Sequence, residues 1–146
     1  MKVLLLLAAV IMAFVPIQIH GSPMNFGEMV LNTTGRPFWP FFNSYGCYCD
    51  YEGKGTPKDA IDRCCFVHNC CYSDLEKRGC DIKVLNYEFT SETGIIICSA
   101  NQDSCKKELC QCDKVAAECF AQNLKSYSKK YHRYPNVGCN GKTPEC

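Results

Sequence analysis

His68 is the side chain of this sequence best suited to move a proton near neutral pH. It sits in the run Asp62 to Tyr72, D-R-C-C-F-V-H-N-C-C-Y, between the adjacent-cysteine pairs Cys64/Cys65 and Cys70/Cys71. No Gly or Pro interrupts the run, so a helix is expected, with Gly79 as its C-cap. Neighbouring helical residues point about 100° apart, so each cysteine pair reaches two different partners. A helix pinned on several sides holds a reacting imidazole still. Asp113 is the second candidate. It lies on the otherwise apolar stripe Leu109, Ala116, Ala117, Phe120 and Leu124 of a helix expected from Cys105 to about Ser126. It is either a buried structural acid or a functional one. The third candidate is the turn-rich stretch Tyr45 to Pro57, which holds Cys47, Cys49 and three glycines at 46, 53 and 55. A loop fixed by disulfides can turn backbone carbonyls inward, which suits a hard cation such as calcium. Alone, that signal is weak.

The elements that must position these residues are those of a small exported domain. Lys2, the apolar run Val3 to Val15, and then Gly21 and Ser22 read as a secretory signal peptide over residues 1–21, not as a membrane span. Residues 22–146 have room for a single domain. All 14 cysteines lie there, and an even count in an exported chain implies up to seven disulfides. A zinc cluster would need reduced thiols at other spacings. The chain carries 16 Lys and Arg against 15 Asp and Glu, and cleavage removes Lys2, leaving no net charge. Neither nucleic-acid binding nor global attraction to anionic membranes is expected.

Phe26, Met29 and Val30 recur at helical spacing and predict a short amphipathic helix, facing the core or also offering apolar surface to lipid. Asn32-Thr33-Thr34 is an N-glycosylation sequon, a short motif with many chance matches. Arg36 to Phe42 has two prolines and reads as a loop; its Trp39, the single tryptophan, is either an interface anchor or a cover over the core. Lys83 to Thr90, a turn at 91–94 and Ile95 to Cys98 predict a small hairpin. The tail interleaves Lys125, Lys129, Lys130, Arg133 and Lys142 with Tyr127, Tyr131 and Tyr134. That pattern is usually a solvated surface, and less often a contact with anionic lipid or glycosaminoglycan.

Taken together, Y-G-C-Y-C, D-R-C-C-x-x-H-x-C-C-Y and C-x-C-D, with this cysteine set and leader, resemble secreted phospholipase A2 along the whole chain. The C-terminal cysteine extension is similar to group II, and the chain overall to the group IIA type. The resemblance implies a mainly α, disulfide-rich fold: two long antiparallel helices, an N-terminal helix, a calcium-type loop and a small two-stranded β-wing. It implies the bridges Cys47–Cys139, Cys49–Cys65, Cys64–Cys119, Cys70–Cys146, Cys71–Cys112, Cys80–Cys105 and Cys98–Cys110. In that scheme Cys64–Cys119 and Cys71–Cys112 share one antiparallel register, which brings His68 to within about half a turn of Asp113. The resemblance also assigns roles. His68 is the base that takes a proton from water, Asp113 orients it, and Tyr72 and Tyr87 support the aspartate. The implied activity is calcium-dependent hydrolysis of the sn-2 acyl ester of glycerophospholipids, by an extracellular protein at a phospholipid surface. A cell-surface receptor is a further partner the resemblance allows.

One residue departs from the family pattern. The family holds calcium with an aspartate after the histidine and three loop carbonyls, whose positions match Tyr48, Asp50 and Glu52. Here the aspartate is Asn69. A neutral amide removes a charge and a bidentate ligand, so calcium binding is expected to be weak or absent and catalysis impaired. Two alternatives stand beside this: a fully active enzyme that tolerates Asn69, and a non-enzymatic receptor ligand or membrane-disturbing homologue. Asp50 and Glu52 also replace the glycines usual in the family. They either strain the loop, if positive φ is required, or offer carboxylates as substitute ligands.

Overall fold

The computed structural model describes residues 22–50 and 52–146; the expected signal peptide lies outside the described residues. The chain is mainly helical. Helix α1 spans Ser22–Thr34, α2 Ala60–Lys77 and α3 Ser104–Gln122, with strands β1 Phe89–Glu92 and β2 Ile95–Cys98 between the last two.

Both long helices begin on an aspartate cap. Asp59 accepts from the backbone N–H of Asp62 at 2.9 Å, and Asp103 from that of Lys106 at 3.0 Å. Each cap satisfies one orphan donor, worth ~1 kcal/mol. Helix α2 is closed by Gly79, which lies two residues past Lys77 at a φ of +90°. There Cys80 N–H donates to Leu75 O and Gly79 N–H to Glu76 O, each at 3.0 Å. This is the paired closure that a left-handed residue after a helix allows.

All 14 cysteines are paired. Cys64–Cys119 and Cys71–Cys112 staple α2 to α3 in antiparallel register. Cys49–Cys65 ties the loop before α2 to that helix, and Cys47–Cys139 ties it to the tail. Cys70–Cys146 anchors the C-terminus on α2, while Cys80–Cys105 and Cys98–Cys110 hold the segment between the long helices. Helix α1 packs across this frame through Phe26, Met29 and Val30, all buried. The aromatic core continues through Phe42 and Phe120, stacked 4.5 Å apart.

Three expectations shift at their edges. The Arg36 to Phe42 loop contains a wide hydrogen-bonded turn at Phe38–Phe42, closed by Asn43 N–H on Phe38 O at 3.0 Å. The β-wing has only four residues per strand, paired Phe89 with Cys98 through Glu92 with Ile95. Of the expected run only Phe89 and Thr90 join it; residues 83–88 stay outside the strand, and the Tyr87 and Glu88 N–H groups donate to Asn25 Oδ1 and Gln102 Oε1 instead. Helix α3 stops at Gln122, and a single 3₁₀ turn, Leu124–Ser126, follows.

Candidate active site

The stapled register sets His68 of α2 against Asp113 of α3. His68 Nε2 lies 2.7 Å from Asp113 Oδ1. Asp113 is fully buried and accepts two more bonds, from Tyr72 OH on Oδ1 and from Tyr87 OH on Oδ2, each at 2.5 Å. A buried carboxylate is tolerated when its lone pairs are filled in this way. Burial first, and then the Asp113 charge, push the Tyr87 hydroxyl far above the usual phenol range, so it remains a donor.

The imidazole is held by rings as well as by charge. Phe26 of α1 stacks on it, with centroids 4.4 Å apart and planes 21° from parallel. Tyr72 packs at 4.1 Å, tilted by 51°. Because Asp113 accepts at Nε2, that nitrogen carries the hydrogen and the lone pair sits on Nδ1. Among the described residues, Nδ1 has no protein partner. The arrangement can therefore take a proton at Nδ1 and steady the resulting imidazolium through Asp113. Sequence reasoning missed Phe26 in this role, treating it only as part of an apolar stripe.

It also missed the clamp on the neighbouring loop. Asp62 is fully buried and accepts from three backbone N–H groups: Cys47 at 2.9 Å, Tyr48 at 2.8 Å and Lys58 at 2.8 Å. Burial raises its carboxyl above the ordinary value, while those three donors pull it back. Gly46, at φ +58°, passes so close that a Cβ there would strike the Asp62 carboxylate. In the sequence, Asp62 was only the first residue of the helical run.

With its N–H fixed on Asp62, Tyr48 presents its carbonyl to α2. Asn69 Nδ2 donates to that carbonyl at 2.8 Å. The Tyr48 hydroxyl closes the far side of the loop on Gly55 O at 2.6 Å. Asp50 turns away: its Oδ1 accepts from Ser44 N–H at 3.2 Å and Ser44 Oγ at 3.1 Å. Asp50 does not adopt a positive φ, so the strain considered for that position does not arise there. Glu52 is exposed. Of the four residues matched to calcium ligands, two are thus joined to each other, through an amide NH₂ that points at a carbonyl a cation would need. As arranged, this donor set does not fit a calcium ion, which takes oxygen ligands only.

Residues 23–132 match the family described as Phospholipase A2. The full 146 residues align with "Phospholipase A2, membrane associated" of Rattus norvegicus at 60% identity and of Homo sapiens at 53%, covering 100% of each chain. The chain is also 45% identical over 136 residues to "Basic phospholipase A2 homolog bothropstoxin-II" of Bothrops jararacussu, covering 93% of this chain and 96% of that one. By sequence over its full length, and with the helices, wing and disulfides in place, the chain belongs to the phospholipase A2 family.

Proposed function

We propose that residues 22–146 form a secreted protein that engages phospholipid surfaces and in which sn-2 ester hydrolysis is weak or lost. The Asn69–Tyr48 hydrogen bond carries this reading. The proton-handling half of the site is complete: His68 takes a proton at Nδ1, Asp113 fixes the tautomer, and Tyr72 and Tyr87 hold Asp113. The electrophilic half is neutralised. A water activated at His68 meets an ester carbonyl without a cation to stabilise the developing oxyanion, and losing one such stabilising contact typically costs about 10²–10³ in rate.

Surface features favour the membrane part. Met24, Leu31 and Trp39 are large apolar side chains left roughly half exposed on α1 and the turn after it. Lys125, Lys129, Lys130, Arg133 and Lys142 are all exposed, and they are the candidate contacts for anionic lipid or glycosaminoglycan. Secretion is supported by the complete pairing of the cysteines, which needs an oxidising compartment.

Fatty-acid release from mixed phospholipid vesicles, with calcium and with chelator, tests the proposal on the parent and on Asn69→Asp. Low release by the parent and a large calcium-dependent gain in the variant are expected. Strong calcium-dependent turnover by the parent selects an ordinary phospholipase and overturns it. No turnover in either selects a non-enzymatic binding protein.

A further inference from the structure

We infer that Asn32 carries an N-linked glycan in the exported protein, and that this glycan holds the apolar rim of α1 and Trp39 away from lipid. The second clause rests on the membrane reading above; the first does not.

The sequon Asn32-Thr33-Thr34 occupies the last turn of α1. Thr33 and Thr34 turn their hydroxyls back onto Met29 O and Val30 O, each at 2.7 Å. Asn32 is exposed, and among the described residues its side chain makes no hydrogen bond. Gly35, at φ +74°, ends the turn, and nothing lies within 4 Å of where its Cβ would be. The site therefore opens onto free space. Seven disulfides require passage through the compartment in which such glycans are attached. There the Asn32 amide nitrogen forms a bond to the anomeric carbon of a lipid-linked oligosaccharide. The sugar–pyrophosphate bond breaks, the lipid pyrophosphate leaves, and the amide gives up one proton. Transfer acts on the nascent chain, so the later helix is no obstacle.

The position of Asn32 gives the glycan its consequence. Met24 and Leu31, both 48% exposed, are seven residues apart and share one stripe of α1. Trp39, 46% exposed, lies against Gly27 on the same side. Asn32 projects about 100° round the helix from Leu31 and about 140° from Gly27, so it stands on the flank away from Trp39, with exposed Glu28 between it and Met24. A bulky hydrophilic sugar rooted there screens the patch from its Met24–Leu31 flank.

The test uses the full chain secreted from a eukaryotic cell. Intact mass is measured before and after treatment with an N-glycan amidase, beside Asn32→Gln. A single glycan-sized loss in the parent and none in the variant is expected; a parent without glycan overturns the inference. Partition onto phosphatidylcholine vesicles, followed by Trp39 emission, then compares intact and deglycosylated protein. Deglycosylated protein should bind several-fold more tightly, and equal binding overturns the shielding. If neither form binds any vesicle, the membrane reading fails and takes the shielding with it, while the glycan stands or falls on its mass.

Discussion

Asn69 and Tyr48 are joined directly, amide to carbonyl, at 2.8 Å. An aspartate at 69 cannot make this bond, because a carboxylate has no hydrogen to give. It would face the Tyr48 oxygen with a negative charge and would need a cation between them. The asparagine thus closes the helix–loop contact by a direct hydrogen bond.

Asn69→Asp should therefore exchange an intrinsic contact for a calcium-dependent one. Without metal the variant loses the bond and gains a repulsion, a cost of about 1–3 kcal/mol. With calcium at 100 times its dissociation constant it recovers about 2.7 kcal/mol. Thermal melts should show a Tm that rises with calcium in the variant and stays flat in the parent. A parent Tm that climbs with millimolar calcium contradicts this account of Asn69.

Asp113 accepts three hydrogen bonds with no solvent to replace any of them. Tyr87→Phe leaves Oδ2 buried and unpaired and should cost about 1–3 kcal/mol. Tyr72→Phe should cost less, since Tyr72 is only partly buried and Oδ1 keeps His68. The two changes act on one carboxylate, so the double variant should depart from additivity by about 0.5 kcal/mol or more. Chemical denaturation of the four proteins of this cycle, with disulfides intact, checks both statements.

Much of this site is legible in the sequence. An uninterrupted helical run with two cysteine pairs fixes His68 on a stapled helix. An acid on the apolar stripe of the second helix marks Asp113. What escaped were contacts made by close approach between distant segments. Phe26 reads as one more apolar residue, and only the crossing of α1 over α2 puts its ring on the imidazole. Asp62 reads as the first residue of the helical run, and only the tight path of Gly46 aims three N–H groups at it. The Asn69 substitution was plain in the sequence. Its hydrogen bond was not, because that depends on which way the Tyr48 carbonyl turns.

Tyr45 and Tyr87 should make the protein sensitive to alkali. Burial is the main cause that raises both hydroxyls; Tyr45 is raised further by its bond to Asp59, and Tyr87 by the Asp113 charge. Each folded pKa lies above the unfolded value of about 10. Their contribution is fully present below that pH and is lost as pH rises above it, because the unfolded chain releases protons that the folded chain keeps. Each group adds a slope of about 1.4 kcal/mol per pH unit there. Phenolate absorbance should show Tyr45, Tyr48, Tyr87 and Tyr127, all raised by burial, ionising late in the native protein, with Tyr45 and Tyr87 last, and all eight tyrosines titrating together in denaturant. Tyr87→Phe should remove one tyrosine's share of the slope.

Trp39 allows membrane contact to be separated from metal chemistry. Its ring lies against Gly27, where an added Cβ would come within 2.9 Å of it, so the backbone of α1 supports the indole while 46% of the residue remains exposed. Completing its burial in lipid is worth about 1–1.5 kcal/mol, half of a full large apolar side chain. Trp39→Ala should then weaken vesicle binding by about tenfold, and Trp39→Phe by less. Because the contact does not pass through the Tyr48 loop, chelator should leave the binding curve of the parent unchanged. Trp39 is the sole tryptophan, so its emission reports adsorption directly and should shift to the blue on binding. Tight vesicle binding with no spectral shift would place the docking face elsewhere.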